Sequence, residues 1–142
     1  MNAVTERQRE LVQKFQKLPS WQGRYKEIIA MGKALPEMPK EIYQEQFLVK
    51  GCQSQVWLKA QPSEGGKVVF LADSDALIVK GLVALLLELY SGAKATDIIE
   101  APKDFIAAMG FSEALSPSRA NGLLAMMKQI HLYATALSMM PT

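Results

Sequence analysis

The chain's one cysteine, Cys52, lies in the stretch Lys50-Gly51-Cys52-Gln53-Ser54-Gln55-Val56-Trp57. Phe47-Leu48-Val49 precedes it and Val56-Trp57-Leu58 closes it, so the sulfur reads as the tip of a turn between two strand-like runs. Gly51 lets the backbone take a positive φ or approach another surface closely. Gln53, Ser54 and Gln55 keep the tip wet without adding charge. A free cysteine can also be a small buried hydrophobe, and that reading stands beside the functional one. The polar neighbours and the turn favour a working thiol.

Arg119 is the second residue that stands out. In Ser116-Pro117-Ser118-Arg119 a serine N-cap and a proline at the first helical position start a helix, and the third position normally carries glutamate or glutamine. A cation there is opposed by the helix macrodipole, typically by ~0.3–1 kcal/mol. Departures of this kind tend to fall at functional sites, and a cation beside a helix start attracts anions such as a thiolate or a partner's carboxylate. A solvated surface arginine is the plain alternative. Asp73 and Asp75 could pair for acid–base work, but two aspartates at a helix start are more often caps. Lys80, within an apolar helix, is either a buried cation or one that snorkels. His131 is isolated and reads as structural or surface.

These residues exclude several chemistries. Zinc and iron–sulfur sites need convergent soft ligands, which one cysteine and one histidine cannot supply within a monomer. No GxGxxG, P-loop or GxSxG motif is present. A Cys52–His131 catalytic pair would join residues far apart in the chain, the histidine mid-helix. What remains is a thiol without an evident base on a mobile tip. That suits a carrier better than a hydrolase.

The elements that must position this thiol follow from composition and periodicity. The 142 residues fit one domain, 49% hydrophobic and 21% charged, as in a soluble globular chain. A single cysteine forms no internal disulfide and points to a reducing compartment. Met1 to Glu10 lacks the apolar core of a signal peptide. Ala76–Tyr90, the longest apolar run, is broken by Lys80 and Glu88 and is shorter than the ~20 residues of a membrane span. These features imply a cytoplasmic protein away from membranes. A net charge of +2 with scattered Lys and Arg gives no nucleic-acid footprint.

Thr5 is a candidate cap for a first helix bearing Leu11, Phe15 and Leu18. Ser20 caps a second helix with Trp21, Tyr25, Ile28, Ile29 and Gly32 on one face, and the two read as an antiparallel helical hairpin. Pro36 and Pro39 make an extended link. Strands are expected at Phe47–Val49, Val56–Ala60 and Lys67–Ala72, the last two joined by the turn Pro62-Ser63-Glu64-Gly65-Gly66, giving an antiparallel meander. Asp73 or Ser74 then caps a central helix, Ala76 to Tyr90, with Asp75 in its first turn. Gly81 inside that helix costs roughly 1 kcal/mol against alanine, and close packing on the sheet would compensate. Thr96 caps a short helix, Pro102 opens another to about Met109, and the last helix turns Leu123, Met126, Met127, Ile130, Ala134 and Leu137 inward.

Taken in order, Gly51-Cys52-Gln53-Ser54-Gln55-Val56-Trp57, Asp73-Ser74-Asp75 with Ile78-Val79-Lys80-Gly81-Leu82, and Ser116-Pro117-Ser118-Arg119 with Gly122-Leu123 resemble the SufE family. The Trp21…Tyr25…Ile28-Ile29…Gly32…Leu35-Pro36 pattern resembles it too, so the likeness covers nearly the whole chain. The Gln53-Ser54-Gln55 triplet is closer to SufE proper than to the CsdE branch. The resemblance implies an α+β fold, a small antiparallel β-sheet packed with helices, similar to iron–sulfur scaffold (IscU-like) proteins. It implies that Cys52 takes sulfane sulfur, as a persulfide, from a pyridoxal-phosphate-dependent cysteine desulfurase (SufS-like) and passes it on for iron–sulfur cluster assembly. The pyridoxal phosphate belongs to the desulfurase, and no cofactor is expected on this chain.

Arg119, Asp73, Asp75, Gly51 and Gln53 are expected to support Cys52 or to touch the partner. Phe47, Val49, Val56 and Trp57 are expected to line an apolar shelter for the sulfur. Two other readings remain open at this point: a docking module that activates the desulfurase with Cys52 merely packed, and a free-standing thiol enzyme using Cys52 and His131. A homodimer is also left open.

Overall fold

The computed structural model describes residues 2–110 and 115–140. The first helix, α1 (Ala3–Gln16), is capped one turn earlier than Thr5 would place it: Asn2 Oδ1 accepts from the backbone N–H of Val4 and Thr5 at 2.9 and 3.1 Å. In α2 (Trp21–Lys33) the Ser20 hydroxyl accepts from Gly23 N–H at 3.1 Å, as expected of an N-cap serine. The Lys14–Glu27 ion pair at 2.8 Å links the two helices. They do not form the self-packed hairpin the sequence suggests. Both lean instead on the central helix α3 (Leu77–Tyr90).

Helix α3 explains why. It is apolar on most of its circumference, with Leu82, Val83, Leu85, Leu86, Leu89 and Tyr90 all buried. A helix of that kind must be covered on several sides. Its contact with α2 is backbone on backbone. A Cβ added at Gly81 would overlap the carbonyl oxygen of Ile28 and stand 2.7 Å from that residue's carbonyl carbon, and one at Gly32 would stand 2.8 Å from Gly81 N. The close approach that justifies Gly81 is therefore to α2, not to the sheet.

The sheet is antiparallel in the order β1 (Val56–Pro62), β2 (Lys67–Ser74), β3 (Ala93–Lys94). Pairing runs from Val56 opposite Ser74 to Pro62 opposite Val68, and Lys67 faces Lys94. The hairpin turn uses positive φ at Gly65 (72°) and Gly66 (74°), which only glycine takes without strain. The expected strand at Phe47–Val49 is reduced to a bridge between Leu48 and Trp57 and one bond from Val49 N–H to Val56 O of 2.8 Å. The reason is local. Phe47 still belongs to a 3-10 turn (Glu45–Phe47), and Gly51 (φ 93°) already turns the chain away. The third strand, β3, lies after α3, where Gly92 at φ 81° lets its N–H reach Val68 O at 2.7 Å.

Val56, Leu58, Val68, Phe70 and Ala72 point inward, alternating with more exposed neighbours. Behind them pack α3 and the long α6 (Pro117–Ser138), which buries Leu123, Met126, Met127, Ile130 and Ala134 as the periodicity predicts. Two short helices, α4 (Ala95–Glu100) and α5 (Phe105–Ala108), connect α3 to α6. Thr96 is not a cap: α4 begins at Ala95 and no side chain caps it. The fold is α+β, with the sheet on one side of a helical layer.

Candidate functional site

The turn carrying Cys52 is pinned at its base. Val49 bonds to Val56 on one side, and on the other Gln55 is held three times: its N–H donates to Asp75 Oδ1 (3.1 Å), its carbonyl accepts from the Ser74 hydroxyl (2.8 Å) and from Asp75 N–H (3.3 Å). Between these anchors Gly51 runs so close to α6 that a Cβ there would stand 3.3 Å from Ala125 Cβ. The Cys52 thiol then points back into the molecule. Its S–H donates to the carbonyl oxygen of Gly122 at 3.6 Å, and the side chain is half-buried. A Cβ at Gly122 would just touch the sulfur, at 3.6 Å.

The sulfur lies in a cleft of about 370 Å³ between the loop and the starts of α3 and α6. Ile78, Val79, Leu82 and Met126 supply its apolar wall. Gln53, Ser116, Ser118 and Arg119 supply the polar rim. The shelter is thus built by two helices distant in sequence, not by Phe47, Val49, Val56 and Trp57, which flank the loop on the strand side. Helix α3 enters the cleft from Ala76 with no side-chain cap, so the positive end of its macrodipole borders the site. On α6 the Ser116 hydroxyl accepts from Arg119 N–H at 3.3 Å. The Arg119 side chain is exposed, and its guanidinium makes no ion pair among the described residues.

Asp73 and Asp75 are neither caps of α3 nor a carboxylate pair. Asp73 is the penultimate residue of β2, accepts from the Tyr43 hydroxyl at 2.5 Å and pairs with Lys80 at 3.3 Å. This bond, with burial, pushes the Tyr43 phenol up to about 12. Tyr43 also meets Trp57 edge-on at 5.0 Å, so Asp73 holds the segment before the loop rather than the sulfur. Lys80 is accordingly a partly exposed, paired cation. Asp75 acts at one remove, through Gln55. His131 is buried, its Nδ1 donating to Met127 O at 2.8 Å and its ring edge-on to Tyr90 at 5.7 Å. It does not line the Cys52 cleft, and the structure offers Cys52 no histidine base.

Burial pushes the Cys52 thiol above the ordinary cysteine range. The sequence points to assistance of the thiolate by Arg119 and a helix start; in this closed position desolvation prevails, and the Gly122 carbonyl further favours the protonated form. The sign follows. A raised folded-state value means the thiol form is favoured by folding, a contribution present below the unfolded chain's value and lost as pH rises through the folded one. Iodoacetamide should therefore alkylate Cys52 more slowly in the folded protein than in the denatured chain at pH 8. The rate's pH midpoint should be displaced upward. A midpoint below that of the denatured chain would contradict the closed geometry.

Residues 9–134 match the family model described as "SufE: Fe-S metabolism associated domain". An uncharacterized SufE-like protein of Synechocystis is 41% identical over 127 residues, covering 89% of this chain and 79% of that protein. An uncharacterized SufE-like protein of Rhizobium meliloti is 39% identical over 125 residues, covering 85% and 89%. The Arabidopsis thaliana SufE-like protein 1, chloroplastic/mitochondrial, is 39% identical over 119 residues, 84% of this chain but 32% of that longer protein. The solution structure of a hypothetical protein from Thermus thermophilus superposes with a TM-score of 0.80 over 96% of this chain and 98% of the other, at 24% identity, which bears on the fold alone. The chain belongs to the SufE family of iron–sulfur-metabolism-associated proteins.

Among the residues named from sequence, the cleft gathers Cys52, Gln53 and Arg119, with Gly51 fixing the loop's path and Asp75 its base. Gly122 had a readable signal. A glycine inside a helix costs about 1 kcal/mol against alanine and draws attention to what lies over it, here the Cys52 sulfur, at ordinary contact distance from an added Cβ. Ile78 and Val79 stood out only within the family-like run Ile78-Val79-Lys80-Gly81-Leu82, and nothing in that run marked them as neighbours of the thiol. Among the described residues no helix is long and apolar enough to cross a membrane.

Proposed function

We propose that this protein is a sulfur acceptor and activator of a pyridoxal-phosphate-dependent cysteine desulfurase, carrying sulfane sulfur on Cys52 to iron–sulfur cluster assembly in the cytoplasm. The observation that supports this reading best is the Cys52 thiol on a base-pinned loop, turned into a cleft between two helix starts. Such a loop can swing outward without unfolding a strand or helix.

In transfer, the Cys52 thiolate attacks the terminal sulfur of the desulfurase's persulfide. The partner's S–S bond breaks, a bond forms between Cys52 Sγ and the transferred sulfur, and the partner's thiolate leaves. No outside oxidant or reductant is needed. The proton shared with Gly122 O must depart first, and leaving the cleft removes the burial that holds it. The protein acts with the desulfurase rather than as a free-standing enzyme. Inward, the cleft then shields the new persulfide from soluble thiols.

Arg119 and the uncapped start of α3 favour negative charge at the cleft mouth, where thiolate or persulfide would form. Arg119→Ala should leave the melting temperature within a few degrees, because an exposed side chain that makes no ion pair among the described residues usually contributes no more than ~0.5 kcal/mol. It should slow sulfur transfer measured by rapid quench. A large loss of stability with unchanged transfer would make Arg119 a structural residue.

A further inference from the structure

Across α6 from the Cys52 cleft lies a second cavity, of about 500 Å³. Phe47, Leu48 and Lys50, leading into the loop, form one wall; Ala125, Lys128 and Leu132 of α6 form the other. Ala125 is also the residue on which Gly51 packs, so the cavity and the Cys52 loop share a boundary. Two features of the lining point to a partner. Leu132 is 53% exposed, an apolar side chain for which the fold has no use. Lys50 and Lys128 are exposed and make no ion pair among the described residues, and Lys59 Nζ stands 5.6 Å from the centre of the Phe47 ring. No aspartate or glutamate is among the described residues lining the cavity. In a chain of net charge +2, two exposed lysines beside Phe47, Leu48 and Leu132, with Lys59 next to them over the Phe47 ring, are a local concentration of positive charge.

An apolar floor between cations complements a segment that carries carboxylates beside aliphatic or aromatic side chains. We propose that this groove docks an acidic, apolar segment of the desulfurase and so sets the Cys52 loop at the desulfurase's persulfide. Naming the desulfurase as occupant rests on the carrier reading above; the charge and shape of the segment rest on the groove alone. Lys50 serves both sides, as a groove wall and as the residue two before the sulfur. A partner seated there touches the outer face of the loop and can draw Cys52 from its cleft.

The test measures binding of the organism's own cysteine desulfurase to four forms: wild type, Lys50→Glu/Lys128→Glu, Leu132→Asp, and a control pair of equal charge change on α2, Lys26→Glu/Lys33→Glu. The groove pair should weaken binding at least roughly tenfold and flatten its salt dependence, since rim charges set encounter rate and screening. Leu132→Asp should weaken it too, and the control pair should bind nearly as wild type. Circular dichroism melts and Cys52 alkylation rates check that each variant keeps its fold. Unchanged affinity in the groove variants overturns the proposal, as does equal weakening by the control pair. So does a wild-type dimer, seen by sedimentation, that the groove variants dissociate while desulfurase affinity stays unchanged, since a second copy would then be the occupant. The two readings fail separately: a protein that binds through the groove but gains no sulfur on Cys52 sinks the carrier role only, and one that gains sulfur with groove variants bound as tightly as wild type sinks the groove only.

Discussion

Cys52→Ser should abolish sulfur acceptance and leave the fold unchanged. The loss should be complete rather than partial, because the chain holds no second cysteine to substitute. A serine hydroxyl is far less acidic than a thiol and forms no S–S bond, so it cannot take part in thiol–disulfide exchange. Stability should hardly move. The sulfur is half-buried, its bond to Gly122 O is long at 3.6 Å, and serine can keep a hydroxyl directed at the same carbonyl. The measurement is desulfurase turnover without added reductant, in parallel with a thermal melt. Full stimulation by the serine variant would mean that docking alone activates the partner and that Cys52 is merely packed.

Gly81→Ala should destabilise the chain more than any substitution at the site. Helix propensity alone would favour it by about 1 kcal/mol. The packing forbids that gain. An added Cβ would overlap the Ile28 carbonyl oxygen and lie 2.5 Å from Ile28 Cγ2, so the obstacle is backbone as well as side chain and cannot turn aside. α2 and α3 must separate, which undoes packing around Ile28, itself fully buried. Overpacking of this kind costs typically 1–3 kcal/mol and sometimes more; with backbone as the obstacle we expect about 3 kcal/mol net. In a chain of this length that lowers the Tm by about 10 °C. A variant melting at or above the wild-type temperature would show that the helices do not cross at this glycine.

The features legible in the sequence were those with a local cause. Ser116-Pro117 announces α6 because cap and first-turn chemistry lie within four residues. Glu64-Gly65-Gly66 announces the β1–β2 turn because positive φ needs glycine. The misreadings have physical reasons as well. Phe47–Val49 has strand composition, but the 3-10 turn before it and Gly51 after it leave room for only one bridge. β3 is two residues long, too short for any alternation to register. Asp73 and Asp75 look like caps because a helix follows; strand pairing continues to Ser74 and carries their carboxylates to Tyr43, Lys80 and Gln55 instead.

For the site, Cys52, Gln53 and Arg119 were legible as exceptions to their surroundings. The apolar wall of the cleft was not. Ile78, Val79, Leu82 and Met126 come from two helices and look like any other core residues in sequence. Only their convergence on Cys52 distinguishes them.

The central claim is that Cys52 carries sulfur, and intact-mass and peptide mass spectrometry test it most directly. Incubated with a cognate cysteine desulfurase and free cysteine, then trapped before any reductant is added, the protein should gain the mass of one or more sulfur atoms. The gain should map wholly to the peptide containing Cys52 and disappear on treatment with excess thiol, since a persulfide is a disulfide-like bond open to exchange. Recovery of unmodified protein from a desulfurase that is turning over would contradict the account.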